Sequence, residues 1–492
     1  MTRGRWLTRG LLLFVLAFAN LNDIRAESLL PGGEAPGLWS PDVLPNALFA
    51  WTVIREHDVD YDEFTAPAGT ASGKLDREAY FFRACGVSTA TEPPKAKRSI
   101  GGPPAPGPND HVCSVFPPGM GILALPFFAP FVLTGWDPFD IGLLVHGGHL
   151  VAAILEIIAT LVLWSVLRRF ASPRWSLSLV LLYFLATSVR TVASQALWQH
   201  SGVHLAVATA LSLVLREEGV PLSRDFAAGL ALGLGAVVRQ TTALIALGLH
   251  GFRPGRLVAM LAGAAIGIAP LLAYNDLAFG SPLEQGYGVK TFATPIEIGL
   301  YGLLLSPSRG LFVYTPYLAF AFLALLRAWR WPGEVSGRFR GLLLVWLGAL
   351  ALYATYSEWW GGRVFGSRFL DDFAPILFAA LGWGTSVGML GSRFARAIFV
   401  LLAGWSLVLF QAAAFVYDKA WDTFPVNVND DPSKLFNWSD PQWLAVLRSV
   451  PSAISDERVI AGALLSLLTL TLLLRLELRG QAGLGNESST SS

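Results

Sequence analysis

Nine apolar runs, at 141–167, 175–188, 194–213, 257–274, 311–326, 341–356, 369–390, 397–416 and 459–474, follow one another along this chain, with arginines between them. Stretches of this length and hydropathy are stable in hydrocarbon, and hydrocarbon admits only structures whose backbone groups are satisfied internally. The expected class is an all-α polytopic membrane protein. Composition agrees. Of 492 residues 53% are hydrophobic and 14% charged, against roughly 25% charged in soluble domains. A formal net charge of +1 provides no field to gather nucleic acid, and none is expected as a partner.

Arginine placement gives an orientation. Arg3, Arg5 and Arg9 precede the first apolar run, 11–21, and hold the N-terminus in the cytoplasm; a signal peptide with small residues at Ala17, Ala19 and Ala26 is the rival reading of the same stretch. Arg168/Arg169, Arg216, Arg253/Arg256, the stretch 327–340, Arg393/Arg396 and Arg475/Arg479 mark cytoplasmic loops. Parity then requires 226–250 to be a short hairpin turning near Arg239. About twelve crossings (11–13) result. The divisions are 1–21 as the first transmembrane helix, 22–140 as a long first extracytoplasmic loop, 141–416 as the bundle with short outer loops, 417–458 as a second long outer loop, and 459–492 as the last helix with a cytoplasmic tail. Small residues at Gly229/Gly233 and Gly263/Gly267 have the spacing that lets helices approach closely.

The first loop holds both cysteines, Cys85 and Cys113, a candidate disulfide in an oxidising compartment. Their spacing is not that of a redox CxxC, and no histidine cluster accompanies them to indicate zinc. The Pro/Gly-rich stretch 92–109 is expected to be a mobile loop. In FPPGMGILALPFFAPFVLT, 116–134, Pro117 and Pro118 suit a helix start while Pro126 and Pro130 are expected to break it, giving a re-entrant or interfacial segment.

Chemistry is sought on the outer side. WWGGRVFGSRFLDD, 359–372, sets two arginines, two aspartates and two tryptophans beside a membrane-spanning run. Charges at that depth are costly unless they line a hydrated pocket for a charged ligand; the alternative is an interfacial anchor of tryptophan and arginine. SPDVLPN, 40–46, puts one carboxylate, Asp42, between two prolines that restrict the backbone. HDVDYDEF, 57–64, alternates Asp58, Asp60 and Asp62 and adds Glu63. It lacks the glycine and distal glutamate of a calcium loop, so a solvated acidic turn is the simpler reading, with room left for a divalent metal. Outer basic residues are few: Arg190, Lys290, Arg309, Arg363 and Arg368, with Arg239 deeper. Arginine forks match phosphate oxygens, and their alternative is pairing with Asp371, Asp372 or Glu358.

His146, His149 and Glu156 share one face of one helix. They support a rival function, a proton-coupled transporter or lipid flippase; the structural alternative is a buried glutamate paired to a neighbouring helix. Transporters of this size commonly show two related halves, and no repeat is visible. GLGAVV, 233–238, lacks the preceding strand and third glycine of a dinucleotide site. Asn437 begins a glycosylation tripeptide, a frequent chance match.

Taken in order, SPDVLPN with IREHDVDYDEF, DHVCSVFPPGMGILALPFFAPF, ALWQHSG (196–202), VVRQTTAL, YNDLAFGSPLEQGYG (274–288), SPSRGLFVYTP (306–316) and WWGGRVFGSRFLDDFAP resemble the motifs of bacterial GT-C membrane glycosyltransferases, in the branch related to protein mannosyltransferases and lipid A aminoarabinose transferases. The resemblance implies a GT-C-like bundle in the bacterial inner membrane with its site facing the periplasm. It implies a polyprenyl-phosphate-linked sugar and a hydroxyl acceptor as partners alongside membrane lipid. It implies Asp42 as catalytic base. Beside that, Arg368, Arg309, Lys290, Arg239 and Arg363 are the candidate donor-phosphate ligands by their chemistry, and Asp58, Asp60, Asp62, Glu63 and Asp371 the candidate accessory acids. No cofactor follows from the resemblance with certainty. One departure is Val115, where related chains carry a basic residue, so Arg309, Lys290 or Arg368 is expected to take over that contact.

Overall fold

A computed structural model describes residues 2–21, 38–67, 73–86, 105–107, 109–216, 219–288 and 291–487. The Pro/Gly-rich stretch expected to be mobile lies almost wholly outside the described residues, and so does Lys290. Helices dominate. They run α1 (Thr2–Leu21), α2 (Leu44–Trp51), α3 (Gly119–Leu133), α4 (Ile141–Phe170), α5 (Pro173–Leu185), α6 (His200–Val214), α7 (Leu222–Val238), α8 (Ala246–Leu249), α9 (Pro254–Gly267) and α10 (Ala269–Phe279). The second half holds α11 (Ile296–Leu305), α12 (Leu311–Tyr314), α13 (Ala319–Arg327), α14 (Glu334–Thr355), α15 (Arg368–Asp371), α16 (Ala374–Ser386), α17 (Arg393–Val416), α18 (Ala420–Thr423), α19 (Gln442–Ala453) and α20 (Glu457–Glu487). The described strands all lie between residues 65 and 114. There β1 (Thr65–Ala66) pairs in parallel with β2 (Leu75–Asp76), and β3 (Phe82–Ala84) pairs antiparallel with β4 (Val112–Ser114), Arg83 opposite Cys113. Cys85 and Cys113 are disulfide-bonded, with Cα atoms 5.2 Å apart, which ties the β3–β4 pair at its end.

Among the described residues, four helices have the length and hydropathy to cross a membrane: Ile141–Phe170, Pro254–Phe279, Glu334–Thr355 and Arg393–Val416. This is the pattern of an integral membrane protein. Other runs that hydropathy alone reads as single crossings are divided by their own breakers. Pro316 splits 311–326 into α12, a 3-10 turn and α13, and the run from 369 is a four-residue helix followed by α16, with Pro375 in its first turn. The expected turn near Arg239 is a helix end: α7 stops there, Arg239 is extended, and a 3-10 turn Gln240–Ile245 follows.

The proline-rich segment differs from expectation. α3 continues through Pro126 and Pro130. Both prolines lie on its exposed side in line with Ile122, whereas Met120, Ala124 and Phe128 on the other side are fully buried. The lost backbone bonds thus fall on one stripe away from the packing face, and burial of that face maintains the helix. At fifteen residues it is about 22 Å long, too short for a simple crossing.

The spacing of both glycine pairs allows close helix approach, and in the structure the two pairs face each other. A Cβ at Gly229 would fall 2.0 Å from the Met260 carbonyl oxygen, and one at Gly263 2.0 Å from that of Phe226, so α7 and α9 touch backbone to backbone. Two arginines assigned to cytoplasmic loops are instead buried between helices. Arg256 bonds Asp225 at 2.7 Å and Glu334 at 2.9 Å; Arg338 bonds the same two carboxylates at 2.8 and 3.1 Å. Two cations offset by two anions can leave water where one could not.

Candidate active site

Asp42 sits in a 3-10 turn, Pro41–Val43, that runs directly into α2. Every residue of α2 is buried, and the turn is tied on three sides. Ser40 Oγ donates to Asp42 Oδ1, Asn46 Nδ2 donates to the Leu197 carbonyl at 2.8 Å, and Tyr61 OH donates to the Pro45 carbonyl at 2.9 Å. Asp42 is thereby held at a packed helix start, 8% exposed.

The ALWQHSG segment meets it. Trp198 Nε1 donates to Asp42 Oδ1 at 3.2 Å, and the Arg368 guanidinium lies 5.4 Å from the centroid of the same indole. Arg368 reaches this place from the WWGGR loop, where Gly361, Gly362 and Gly366 all have positive φ. Its Nε donates to His200 Nε2 at 3.1 Å and its Nη1 to the Gly361 carbonyl at 3.4 Å. His200 Nδ1 is 2.8 Å from Asp372 Oδ1, and Asp372 Oδ2 is 3.2 Å from Arg239 Nε. The sequence motifs containing Asp42 and Arg368 therefore converge on Trp198, and Arg239 joins them from behind through Asp372.

Further groups complete the cluster. The Tyr80 phenol lies beside the Asp42 carboxylate, with Arg368 and Arg363 within electrostatic reach. Tyr80 and Arg363 are exposed, which leaves the cluster open on that side. Lys419 donates to the Trp39 carbonyl; burial lowers the affinity of its amine for a proton, and the Asp42 charge opposes that effect. Tyr287 bonds Gln199 at 3.2 Å, and burial pushes its phenol up to about 12 against the charges of Arg239 and Arg368.

Other residues marked in the sequence have different partners. Arg309 is 1% exposed and spends four N–H groups on protein: Ser308 O at 2.6 Å, Gln442 Oε1 at 3.0 Å, Gly362 O at 3.0 Å and Asp422 Oδ1 at 2.7 Å. It clamps the loop that carries Arg363 and has no fork to offer a phosphate, which corrects its expected role. Asp371 has its own surroundings. It is buried, accepting from Ser188 at 2.9 Å, while its backbone carbonyl is 2.8 Å from His204 Nε2. Trp359 and Trp360 are both buried, Trp359 against Gly302 and Trp360 bonded to Asn429 at 3.0 Å, so neither is an interfacial anchor. Glu156 is 2.7 Å from Tyr183 OH and 2.9 Å from His204 Nδ1, joining neighbouring helices, and His146 and His149 are buried.

The acidic turn gathers elsewhere. His111 Nδ1 is 2.6 Å from Asp62 and 3.2 Å from Asp60. A cavity of 690 Å³ beside it is lined by His57, Asp58, Asp60, His111, the disulfide and Ala278, and does not reach Asp42. Asp60, Asp62 and His111, or Asp58, Asp60 and Glu63, have ligand atoms within 4.8 Å of one another and are the described groups able to hold a divalent cation. In the first trio His111 Nδ1 already bonds to Asp62 and Asp60.

Trp198, His200, Tyr80, Tyr287 and Lys419 were not singled out from sequence as site residues. Trp198 and His200 lie within ALWQHSG, which did carry a signal. Lys419 had none beyond its position just after an apolar run.

No family model matches this chain, and no curated protein matches it. Two solved structures are similar, both of the Archaeoglobus fulgidus oligosaccharyltransferase. One is its complex with zinc and sulfate, at 14% identity and TM-score 0.45, covering 86% of this chain and 57% of that one. The other is tethered through a disulfide to an acceptor peptide containing the NVT sequon, at 14% identity and TM-score 0.42, covering 84% and 55%. This chain thus spans little more than half the length of those structures.

Proposed function

We propose that this chain is a GT-C-type membrane glycosyltransferase that moves a sugar from a polyprenyl phosphate to a hydroxyl acceptor, in one inverting displacement at the anomeric carbon. Asp42 takes the acceptor hydroxyl proton as that oxygen bonds to the anomeric carbon. The bond from that carbon to the phosphate oxygen breaks, and its electron pair leaves on the phosphate, which Arg368, Arg363 and Lys419 stabilise. One carboxylate suffices because phosphate leaves as a stabilised anion, whereas cleavage of an ordinary glycoside commonly uses a second carboxyl as acid.

The observation that carries this reading is the shared indole of Trp198: a buried carboxylate bonds its N–H and a guanidinium covers its ring. Arg368, Arg363 and Lys419 around a single Asp42 leave positive charge in excess, which suits a phosphate. The wider topology belongs to the same proposal: about twelve crossings in a bacterial inner membrane, the divisions given above, and a site facing the periplasm. Helices α5 and α6, of 13 and 15 residues, are only about 20 and 22 Å long. Crossings there need their flanking turns.

The test uses the detergent-purified chain with a panel of polyprenyl-phosphate hexoses and pentoses and hydroxyl acceptors, following release of polyprenyl phosphate. Asp42→Asn is expected to lower release by about 10²–10⁴-fold with an unchanged melting temperature. Near wild-type release by that variant overturns the base assignment. No release from any donor overturns the transferase reading.

A further inference from the structure

We infer that His200 is a positioning residue that sets the Arg368 fork toward the leaving phosphate, an inference that rests on the phosphate reading above. The hydrogen-bond chemistry allows one arrangement. An arginine Nε–H can only donate, so His200 Nε2, 3.1 Å from it, accepts through a lone pair. The imidazole is therefore neutral and carries its proton on Nδ1, which donates to Asp372 at 2.8 Å. Asp372 accepts as a carboxylate, held from its other oxygen by Arg239 at 3.2 Å. The hydrogen-bond polarity is thus fixed from Asp372 through His200 to Arg368, with Arg239 as the ion-pair partner of Asp372.

His200 is fully buried and Asp372 3% exposed, so the bond between them is shielded from water. The charged and titratable groups facing His200 are Arg368 at the start of α15, Asp372 just after it and Arg239 at the end of α7; one turn further along α6, His204 meets Glu156 of α4 and Asp371. Arginine has many rotamers. With Nε tied to His200, Nη1 reaching Gly361 and the plane resting over Trp198, Arg368 is confined before any ligand arrives. The Nη N–H groups that remain are those a phosphate oxygen would engage, and their orientation needs no further ordering on binding.

The experiment measures calorimetric binding of farnesyl phosphate to the full chain in detergent, for wild type, His200→Ala, His200→Gln and His200→Asn, with melting temperatures alongside. The glutamine oxygen reaches the place of Nε2 and accepts from Arg368; asparagine reaches only the Asp372 side. Binding about tenfold weaker is expected for alanine and asparagine, and within about threefold of wild type for glutamine. Nitrogen-15 spectra of the wild-type histidine are expected to show Nε2 unprotonated. Equal binding by the glutamine and asparagine variants, wild-type affinity in His200→Ala, or a protonated Nε2 overturns the assignment. If His200→Ala does not fold, the glutamine and asparagine pair decides. Absence of farnesyl phosphate binding by wild type is a separate result, which removes the phosphate reading and this inference with it.

Discussion

Trp198 Nε1 lies 3.2 Å from Oδ1 of Asp42, the same oxygen that accepts from Ser40. One oxygen of the carboxylate is thus doubly held while its ring partner also supports Arg368. Two functions of Trp198 can be separated by substitution.

Trp198→Phe keeps an aromatic face for Arg368 but removes the N–H. About a tenfold fall in kcat is expected with little change in donor KM, since a neutral N–H to a charged acceptor is worth roughly 1.5–3 kcal/mol when intact and phenylalanine leaves the second bond in place. Trp198→Ala is expected to affect both constants. Steady-state kinetics on the two variants check this, and an unchanged kcat in Trp198→Phe would deny the indole N–H a part in orienting Asp42.

The cations around Asp42 are expected to differ in weight. Arg368→Ala should weaken donor binding about 10- to 100-fold and Arg368→Lys nearly as much, because lysine cannot bond His200 and the phosphate as a planar fork does. Arg363→Ala, at an exposed guanidinium, should have a smaller effect that fades as salt is raised. Titration of donor binding at low and high ionic strength distinguishes them, and a larger loss at Arg363 than at Arg368 would move the phosphate outward.

Arg309 should report on the fold. It pairs with Asp422 at 2.7 Å with both side chains essentially inaccessible. Removing one partner of such a pair costs about 3–5 kcal/mol, so Arg309→Ala and Asp422→Asn should lower the melting temperature of the detergent-solubilised chain. A well-folded Arg309→Ala that has lost only donor affinity would restore Arg309 to the phosphate site.

The acidic turn of the first loop should prefer mildly acidic conditions. His111 has its proton affinity raised by Asp62 first and then Asp60, and Asp58, Asp60 and Glu63 are raised by burial first. Each group binds protons more tightly folded than unfolded. Its stabilisation is present below the unfolded pKa and lost as pH rises through the folded one: upward from about 6.5 for the histidine and from about 4 for the carboxylates. His111 is 70% exposed, so solvent screening keeps its share small. Hydrogen exchange in β3 and β4 should accelerate as pH rises above neutrality by more than the intrinsic chemical rate, and His111→Gln should remove that excess. An identical profile in the variant would sever the link.

Much of this architecture was legible in sequence, and the errors have physical causes. Hydropathy located the apolar helices, and small-residue spacing marked two helices able to approach a neighbour closely, because both depend on properties summed along neighbouring residues. Pro126 and Pro130 misled because local propensity says nothing of which side a helix packs on. Arg309 and Arg368 looked alike as outer-loop arginines. What separates them is that Asp422 and Gln442 saturate one fork, while His200 leaves part of the other fork unspent.

By itself the amino-acid order determined a helical membrane protein with Asp42 set between prolines and a short set of candidate cations known by position. Only the tertiary structure decided that Trp198 joins Asp42 to Arg368, that Lys419 and Tyr80 stand beside them, and that Asp60 and Asp62 face His111 instead. Apolar burial follows from local composition, but the role of a charge depends on the few ångströms separating it from residues far away in the chain. Packing alone sets those distances.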